Sequence, residues 1–332
     1  MYRNEDEMNI KCLWQKRENQ TARLLRIYGE TGEAVVPEQI EGAAVTEIAD
    51  YCFSQSLHLP AEEDYRITGI PADEGQSELH EQAGRYVTSV KLPGTVKQLG
   101  RYAFYNCSRL KKLIIGDGIT EVGSDCFMNC IRLSELQLDA DYKKPGALRQ
   151  ILAQLTSDIE VSFCRQGQTQ AVIFYPEYME SYDEIAPAHI FGRKITGEGF
   201  RARQCFADEV VMLSSYDGIF AQACIEESER TLCRMAYDRL RYPVELETDK
   251  WEAYDHYLQE HAGVLFVEGI KKQDLDVVSF LSEHGYVDSA MYEQGITLAA
   301  SAGWVHGSSY LIGQKRARTS DGFASMYSFD DF

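Results

Sequence analysis

The feature that most constrains this chain is a hydrophobic pattern that recurs every 23 residues. The first copy consists of Val87, Val90, Leu92, Val96, Leu99, Phe104, Asn106 and Cys107, and the second of Leu110, Leu113, Ile115, Ile119, Val122, Phe127, Asn129 and Cys130. A fixed period in the twenties predicts a solenoid of stacked strand-and-turn coils, because each coil can bury its apolar edge only against the next.

Partial copies flank this pair. A third copy starts with Leu133, Leu136 and Leu138 and breaks off near Asp139, and an earlier one consists of Val45, Ile48, Cys52 and Phe53. Residues 57–86 separate the earlier copy from the first full one and are punctuated by proline and glycine, so we expect an insertion that runs over the surface. The sequence therefore predicts an N-terminal segment over residues 1–20 and a repeat domain over residues 21–139.

Each coil should present a row of outward side chains. The pattern Val87-x-x-Val90-x-Leu92 predicts a short strand whose alternate residues face inward. The residues between them then form a ladder on one face of the sheet: Ser89, Lys91, Lys112, Ile114, Glu135 and Gln137. This ladder is the candidate partner-binding surface, and the alternative is a sheet face that meets only solvent.

Two segments carry a family resemblance. The stretches 96–107 and 119–130, with their Gly and Phe-x-Asn-Cys positions in register, resemble the BspA-like leucine-rich repeats of bacteria. The resemblance spans about a third of the chain. It implies a right-handed solenoid with a parallel sheet and a role in binding proteins or surfaces. Many members are secreted or surface-attached with long arrays, whereas this chain shows only three or four units.

The second half of the chain lacks the 23-residue repeat and has a different hydrophobic pattern. Residues 140–200 mix helical and strand-like patterns and predict an α/β connector, and residues 201–314 carry apolar positions at helical intervals. The segment 274–285 resembles the second helix of an ankyrin repeat, and the segment 295–304 resembles a first helix. The predicted class is α+β: a short BspA-like leucine-rich-repeat solenoid, then an α/β connector and an all-helical, ankyrin-like C-terminal domain.

The last residues, 315–332, predict a flexible tail. A basic run gives way to aromatic residues set among acidic ones, with Phe323, Tyr327 and Phe329 as candidate partner-binding side chains. Such a segment can order on binding to a groove. The alternative is an end of the chain with no role.

The amino-acid composition limits the classes of partner that the chain is expected to bind. The formal net charge of −19 disfavours a nucleic-acid partner, whose binding depends on clustered Lys and Arg. The sequence contains no run of about 18 apolar residues, so it predicts no membrane-spanning helix. The polar start of the sequence shows no secretory signal, and the nine cysteines look like small buried hydrophobes, so we expect a cytoplasmic protein with reduced thiols.

Catalytic signals are weak. His256 and His261 lie five residues apart, whereas the helical zinc motif uses a spacing of four, and the glycines at 197 and 199 lack a following Gly-Lys-Ser or Gly-Lys-Thr sequence. We therefore predict no catalytic residue, no metal and no cofactor.

The leading interpretation is a non-enzymatic scaffold or adaptor of a bacterial cytoplasm that binds protein partners through its repeat surfaces. The alternative is an enzyme or small-ligand sensor with a site where the two halves of the chain join. Its candidate residues are Tyr175, Tyr178, Tyr182, Asp183, Glu184 and His189.

Overall fold

The computed structural model describes residues 9–70, 78–185 and 190–326. It divides the chain into two compact units, Met1–Ala223 and Cys224–Phe332. The strands are β1 Ile10–Lys16, β2 Ala22–Gly29, β3 Glu33–Val35, β4 Gln39–Ile40, β5 Ala43–Ile48, β6 Arg66–Ile70, β7 His80–Glu81, β8 Ser89–Lys91, β9 Gln98–Leu99, β10 Lys112–Gly116, β11 Glu121–Val122, β12 Glu135–Asp139, β13 Ile159–Arg165, β14 Gln168–Tyr175, β15 Met179–Ile185, β16 Ile190–Thr196, β17 Phe206–Ala207 and β18 Val210–Val211. The helices are α1 Leu148–Leu152, α2 Gly199–Ala202, α3 Leu213–Gly218, α4 Phe220–Glu226, α5 Glu229–Arg241, α6 Thr248–Lys272, α7 Leu275–Glu283, α8 Ser289–Ser301 and α9 Val305–Met326, with a 3₁₀ turn at Glu62–Asp64.

The 23-residue period produces a parallel sheet, which we call the repeat sheet. Its strand order is β14-β13-β12-β10-β8-β3. All neighbours from β3 to β13 are parallel, and β14 pairs antiparallel with β13. Lys112 lies opposite Ser89 on one side and opposite Glu135 on the other, so equivalent residues of successive copies are register partners. The predicted solenoid and α+β class are confirmed.

A second sheet lines the other side of the coils. Strands β11, β9, β5 and β2 are parallel neighbours, and β1 then pairs antiparallel with β2. The predicted surface insertion adds to this sheet, since β6 pairs with β1 and β7 with β2. Trp14 Nε1 donates a hydrogen bond to Thr68 Oγ1 at 3.0 Å. Part of the insertion therefore forms the edge of this sheet. Its strand β6 supplies hydrogen-bond partners for backbone groups of β1 that would otherwise be unpaired.

The coils are held together by identical residues stacked on one another. The rings of Phe53, Phe104 and Phe127 form a continuous stack, with centroids 4.9 and 5.2 Å apart and planes within 8°. The thiols of Cys107 and Cys130 donate to the carbonyl oxygens of Phe53 and Phe104, each at 3.1 Å. The Phe-x-Asn-Cys ending thus supplies both an apolar column and the donors that satisfy buried carbonyl groups.

The turns between strands recur with the same backbone conformation. Asn106 and Asn129 have positive φ angles of 60° and 62°, a region that asparagine tolerates better than most residues. Asn129 Nδ2 donates to Asn106 Oδ1 at 2.7 Å. At Gly100 and Gly123 a Cβ would collide with the backbone of the preceding coil. Glycine is needed there because neighbouring coils approach backbone to backbone.

The array extends further than the sequence pattern indicates. The hydrophobic period fades near Asp139, yet β13 pairs in parallel register with β12, with Glu135 opposite Glu160. The short helix α1 lies between these two strands, and its side chains Leu148, Ile151 and Leu152 are buried. A helix of different length thus replaces the usual turn, which hides the repeat from a search at a fixed period.

The remainder of the first unit is irregular. Strands β15 and β16 form a separate two-stranded hairpin, and β17 and β18 form another. The sequence predicts a long helical tract from residue 201, but the structure has α2, this β17–β18 pair and the short helices α3 and α4 before α5 begins. Helix α5 starts after Ser228, whose side chain accepts a hydrogen bond from the Thr231 amide.

The second unit is helical, as predicted. Helix α6 packs against α5, α7 and α8, and α8 packs against α9. Asp274 and Asp288 cap α7 and α8 by accepting hydrogen bonds from the amides of Val277 and Met291. Helices α7 and α8 lie where the ankyrin-like patterns occur, and the ankyrin-like character itself stays a prediction.

The predicted flexible tail begins as helix. Helix α9 continues to Met326, and Arg318 donates hydrogen bonds to the carbonyl oxygens of Val287 and Ser282 at 2.7 and 3.0 Å. The start of the predicted tail is thus helical and bonded through Arg318 and through Lys315, whose Nζ lies 2.8 Å from Glu293 Oε1, and the flexible tail stays a prediction. Phe323 lies in this helix, and Tyr327 and Phe329 lie outside the described residues.

The phenylalanine stack predicts a graded response to truncation. Phe104→Ala should lower the free energy of unfolding by about 3–5 kcal/mol, because it removes a buried ring. Phe127→Ala should lower it by about 0.5–1.5 kcal/mol less, because Phe127 has one ring neighbour in the stack and Phe104 has two. Urea unfolding of both variants tests this, and equal losses would contradict a coupled stack.

Glycine substitutions test the close approach of the coils. Gly100→Ala should destabilise the chain by about 1–3 kcal/mol, because the added methyl group must push backbone atoms apart. Gly94→Ala is the matched control, since its methyl group would meet no atom within 4 Å. Thermal unfolding should show a lower midpoint for Gly100→Ala alone.

An ion pair in the helical unit predicts a pH dependence. Hydrogen bonds from Arg230, with Lys272 adding to them, hold the pKa of the Glu268 carboxyl at about 2, below its usual 4.5. Its stabilising contribution is present above pH 4.5 and is lost as the pH falls towards 2. Glu268→Gln should therefore be less stable than wild type at pH 7, and the difference should shrink below pH 4.5 in urea titrations. Glu252→Gln, at an exposed position of the same helix, should match wild type throughout.

Candidate partner-binding groove

The repeat sheet turns two rows of side chains away from the core. In strand register, the first row is Glu33, Ser89, Lys112, Glu135 and Glu160, and the second row is Val35, Lys91, Ile114, Gln137 and Ser162. The residues between them, such as Val90, Leu113 and Leu136, are buried in the core. We call this surface the open face, and its rows follow from the alternation of side chains along each strand.

The predicted ladder residues lie on this face, with one exception in accessibility. Glu135 is exposed, and Ser89, Lys91, Lys112 and Gln137 are half-buried. Ile114 is only 3% exposed. It lies between Lys91 and Gln137 in register, and the aliphatic parts of such long neighbours can cover a shorter apolar side chain. The expectation that Ile114 is an accessible contact residue is therefore wrong, and it acts in packing.

A groove opens where the strands of the open face begin. Its volume is about 620 Å³, and it is lined by Glu33, Thr88, Ser89, Arg109, Lys111, Lys112, Arg132 and Glu135. Three of these residues come from the predicted ladder. Arg109, Lys111 and Arg132 were missed because they precede the strands. The sequence did hold a signal for them, since Arg109 and Arg132 stand 23 residues apart, at the same position of successive coils.

The groove is locally basic in a strongly acidic chain. Four cationic side chains and two carboxylates line it, whereas the whole chain carries a formal charge of −19. Lys112 Nζ lies 3.9 Å from Glu135 Oε2, a loose ion pair. Arg109, Lys111 and Arg132 form no ion pair with any other residue that the structure describes. Three cations are thus left to meet a ligand.

Among the described residues of the alternative connector site, Tyr175 and Tyr178 share one neighbour, the guanidinium of Arg203. Tyr175 is fully buried in β14, where burial raises the pKa of its hydroxyl. Tyr182 and Glu184 lie on one face of the exposed hairpin and Asp183 on the other, as strand alternation requires. Tyr178 packs over the guanidinium of Arg203 at 5.2 Å, and His189 lies outside the described residues.

The part of the chain that the structure describes shows neither a metal-binding cluster nor a membrane-spanning helix. Among those residues, no group of three or more His, Cys, Asp and Glu side chains is placed to hold a metal ion. His256 and His261 instead lie near carboxylates, at 3.6 Å from Glu260 and 3.5 Å from Glu229. No described helix is both long and apolar enough to cross a bilayer.

The repeat segment matches a known family. Residues 82–148 match the family described as BspA type leucine rich repeat region (6 copies). This segment, about a fifth of the chain, is thus similar to BspA-type leucine-rich repeats. The match includes β8, β10 and β12, which carry most of the groove, and it lies wholly within the first unit. Proteins built from such repeats typically bind other molecules and do not catalyse reactions.

Solved leucine-rich repeat structures are similar to part of the chain. A leucine-rich repeat protein of T. pallidum is 18% identical, with 42% of this chain and 53% of that chain covered and a TM-score of 0.28. One from Bacteroides capillosus is 19% identical, covering 40% and 85%, with a TM-score of 0.27. A leucine-rich cell surface protein of Faecalibacterium prausnitzii is 20% identical, covering 42% and 33%, with a TM-score of 0.26.

This chain thus spans about half the length of the T. pallidum protein. No curated protein matches the sequence.

Proposed function

We propose that this chain is a non-enzymatic scaffold or adaptor that binds partner proteins through the open face of its BspA-type repeats. One observation carries the proposal: five parallel strands hold two rows of outward side chains in strict register beside a groove of about 620 Å³. The backbone groups of the inner strands bond to one another, so the outward side chains are left to contact a partner.

The rigidity of the repeats favours binding. Neighbouring strands lie about 4.8 Å apart, so the open face offers groups at fixed intervals along the solenoid. The stacked rings of Phe53, Phe104 and Phe127 hold this spacing from the core side. A preorganised surface loses little conformational entropy on binding, and more of the contact energy is left as affinity.

A reducing bacterial cytoplasm is the compartment that we propose. All nine cysteines are free thiols and eight of them are buried. Burial raises the pKa of Cys52 to about 12, so this thiol stays protonated and unreactive. Cys107 and Cys130 are also engaged as hydrogen-bond donors. Thiols with such packing roles suit a compartment that keeps cysteine reduced, and the resemblance of the repeats to BspA-like repeats of bacteria supports a bacterial origin.

The helical unit and the C-terminal residues extend the proposal. We propose that the ankyrin-like helices offer a second protein-binding surface. Phe323, Tyr327 and Phe329 are proposed as contact residues on the strength of their aromatic and acidic setting. These roles rest on the sequence pattern, and the open face remains the primary binding surface.

Site-specific photo-crosslinking tests the proposed surface. The full chain should carry p-benzoylphenylalanine at Glu135, an exposed residue of the groove. We expect a discrete protein adduct when cells that naturally express the chain are irradiated. Excess unlabelled wild-type chain should suppress the adduct, because it competes for the same partner.

The matched control places the same photoreactive residue at Glu121, an exposed position on the second sheet. This position should give no such adduct. Equal adducts from both positions, or none from Glu135, would show that the open face is not the binding surface.

A further inference from the structure

The charges around the groove are ordered along the solenoid. The first row of the open face starts with a carboxylate at Glu33, continues through Ser89 to the cation at Lys112 and returns to a carboxylate at Glu135. Arg109, Lys111 and Arg132 add positive charge at the same end of the strands. We call the four cations Arg109, Lys111, Lys112 and Arg132 the basic island. It has a carboxylate on either side, Glu33 and Glu135.

The size of the island limits what can occupy it. The distance from β8 across β10 to β12 is about 10 Å, because neighbouring strands are about 4.8 Å apart. An extended peptide rises about 3.3 Å per residue, so about three residues cover this distance. Arg109 and Arg132 occupy equivalent positions on successive coils, so their guanidinium groups can engage acidic side chains at alternate positions of the peptide, which face the same side.

The chemistry of the lining selects carboxylates. Arginine presents a planar fork of donors that binds a carboxylate through two hydrogen bonds, and lysine adds a mobile positive charge. A nucleic-acid strand fits less well, because its phosphates would continue past the island and meet Glu33 on one side and Glu135 on the other. A short acidic stretch avoids that repulsion, and basic residues on its flanks turn it into attraction.

We infer that the groove binds an extended acidic peptide segment of a partner protein, with about three acidic residues over the basic island and basic residues on the flanks. This inference rests on the proposed function and names the chemistry of the partner. Arg109 and Arg132 are the principal specificity residues, and Lys111 and Lys112 support them. The binding is electrostatic and exposed, so it weakens as salt screens the charges.

A defined peptide tests this inference on the full chain. The probe is a fluorescein-labelled peptide, Lys-Gly-Asp-Glu-Asp-Gly-Lys, and the reference peptide replaces the acidic residues with Asn-Gln-Asn. Fluorescence anisotropy at about 50 mM salt should show the acidic peptide binding at least 10-fold more tightly, since only carboxylates pair with the island. Raising the salt to about 300 mM should weaken that binding.

Matched charge reversals locate the site. Arg109→Glu combined with Arg132→Glu should weaken binding of the acidic peptide at least 10-fold, because the island becomes negative. Lys97→Glu combined with Lys144→Glu makes the same change in net charge at exposed positions outside the groove and should alter binding less than about 2-fold. All four side chains are exposed, so both double variants should keep the thermal midpoint of the wild type.

Three results would overturn the inference. They are equal binding of the two peptides, unchanged binding by the Arg109 and Arg132 variant, and displacement of the peptide by a ten-residue oligothymidylate that binds more tightly. If the acidic peptide fails to bind the wild-type chain, and the Glu135 adduct still forms in the variant with both arginines reversed, the acidic partner is wrong and the scaffold function stands. If no adduct forms from Glu135, the scaffold function itself is wrong.

Discussion

Stacking of equivalent residues between successive coils is the constraint on which the rest of this structure depends. Phe53, Phe104 and Phe127 form one column of rings, and glycines at 100 and 123 let the backbones of neighbouring coils meet. The thiols that follow the rings satisfy carbonyl groups inside the stack. Because the same contacts are made between each pair of successive coils, the strands of the repeat sheet are kept in register. The outward side chains of equivalent residues therefore lie side by side.

The open face has two parts that differ in chemistry. Its second row includes Ile114, which is buried between Lys91 and Gln137 in register and adds to packing. Its first row opens into a groove where Arg109, Lys111 and Arg132 lack ionic partners among the described residues. A chain with a net charge of −19 that concentrates unpaired cations in one groove is suited to an acidic ligand. The proposed scaffold function and the proposed partner chemistry meet in this groove.

Several sequence predictions hold because they depend on local periodicity. The strands β8, β10 and β12 lie where alternate apolar residues repeat, and α7 and α8 begin at aspartate caps. The features that the sequence did not predict depend on contacts distant in sequence. The insertion supplies β6 to an edge strand, α1 takes the place of a turn and carries the array on to β13, and Arg318 ties the start of the tail to neighbouring segments.

The sequence by itself determined the coil and most residues of its core, because a 23-residue period places equivalent side chains on top of one another, and the family resemblance implied the parallel sheet. Only the tertiary structure decided which outward residues a partner can reach. Accessibility depends on the neighbours to either side, as the covered Ile114 shows. The groove likewise exists only when the loops carrying Arg109 and Arg132 are stacked, since neither loop forms a cavity alone.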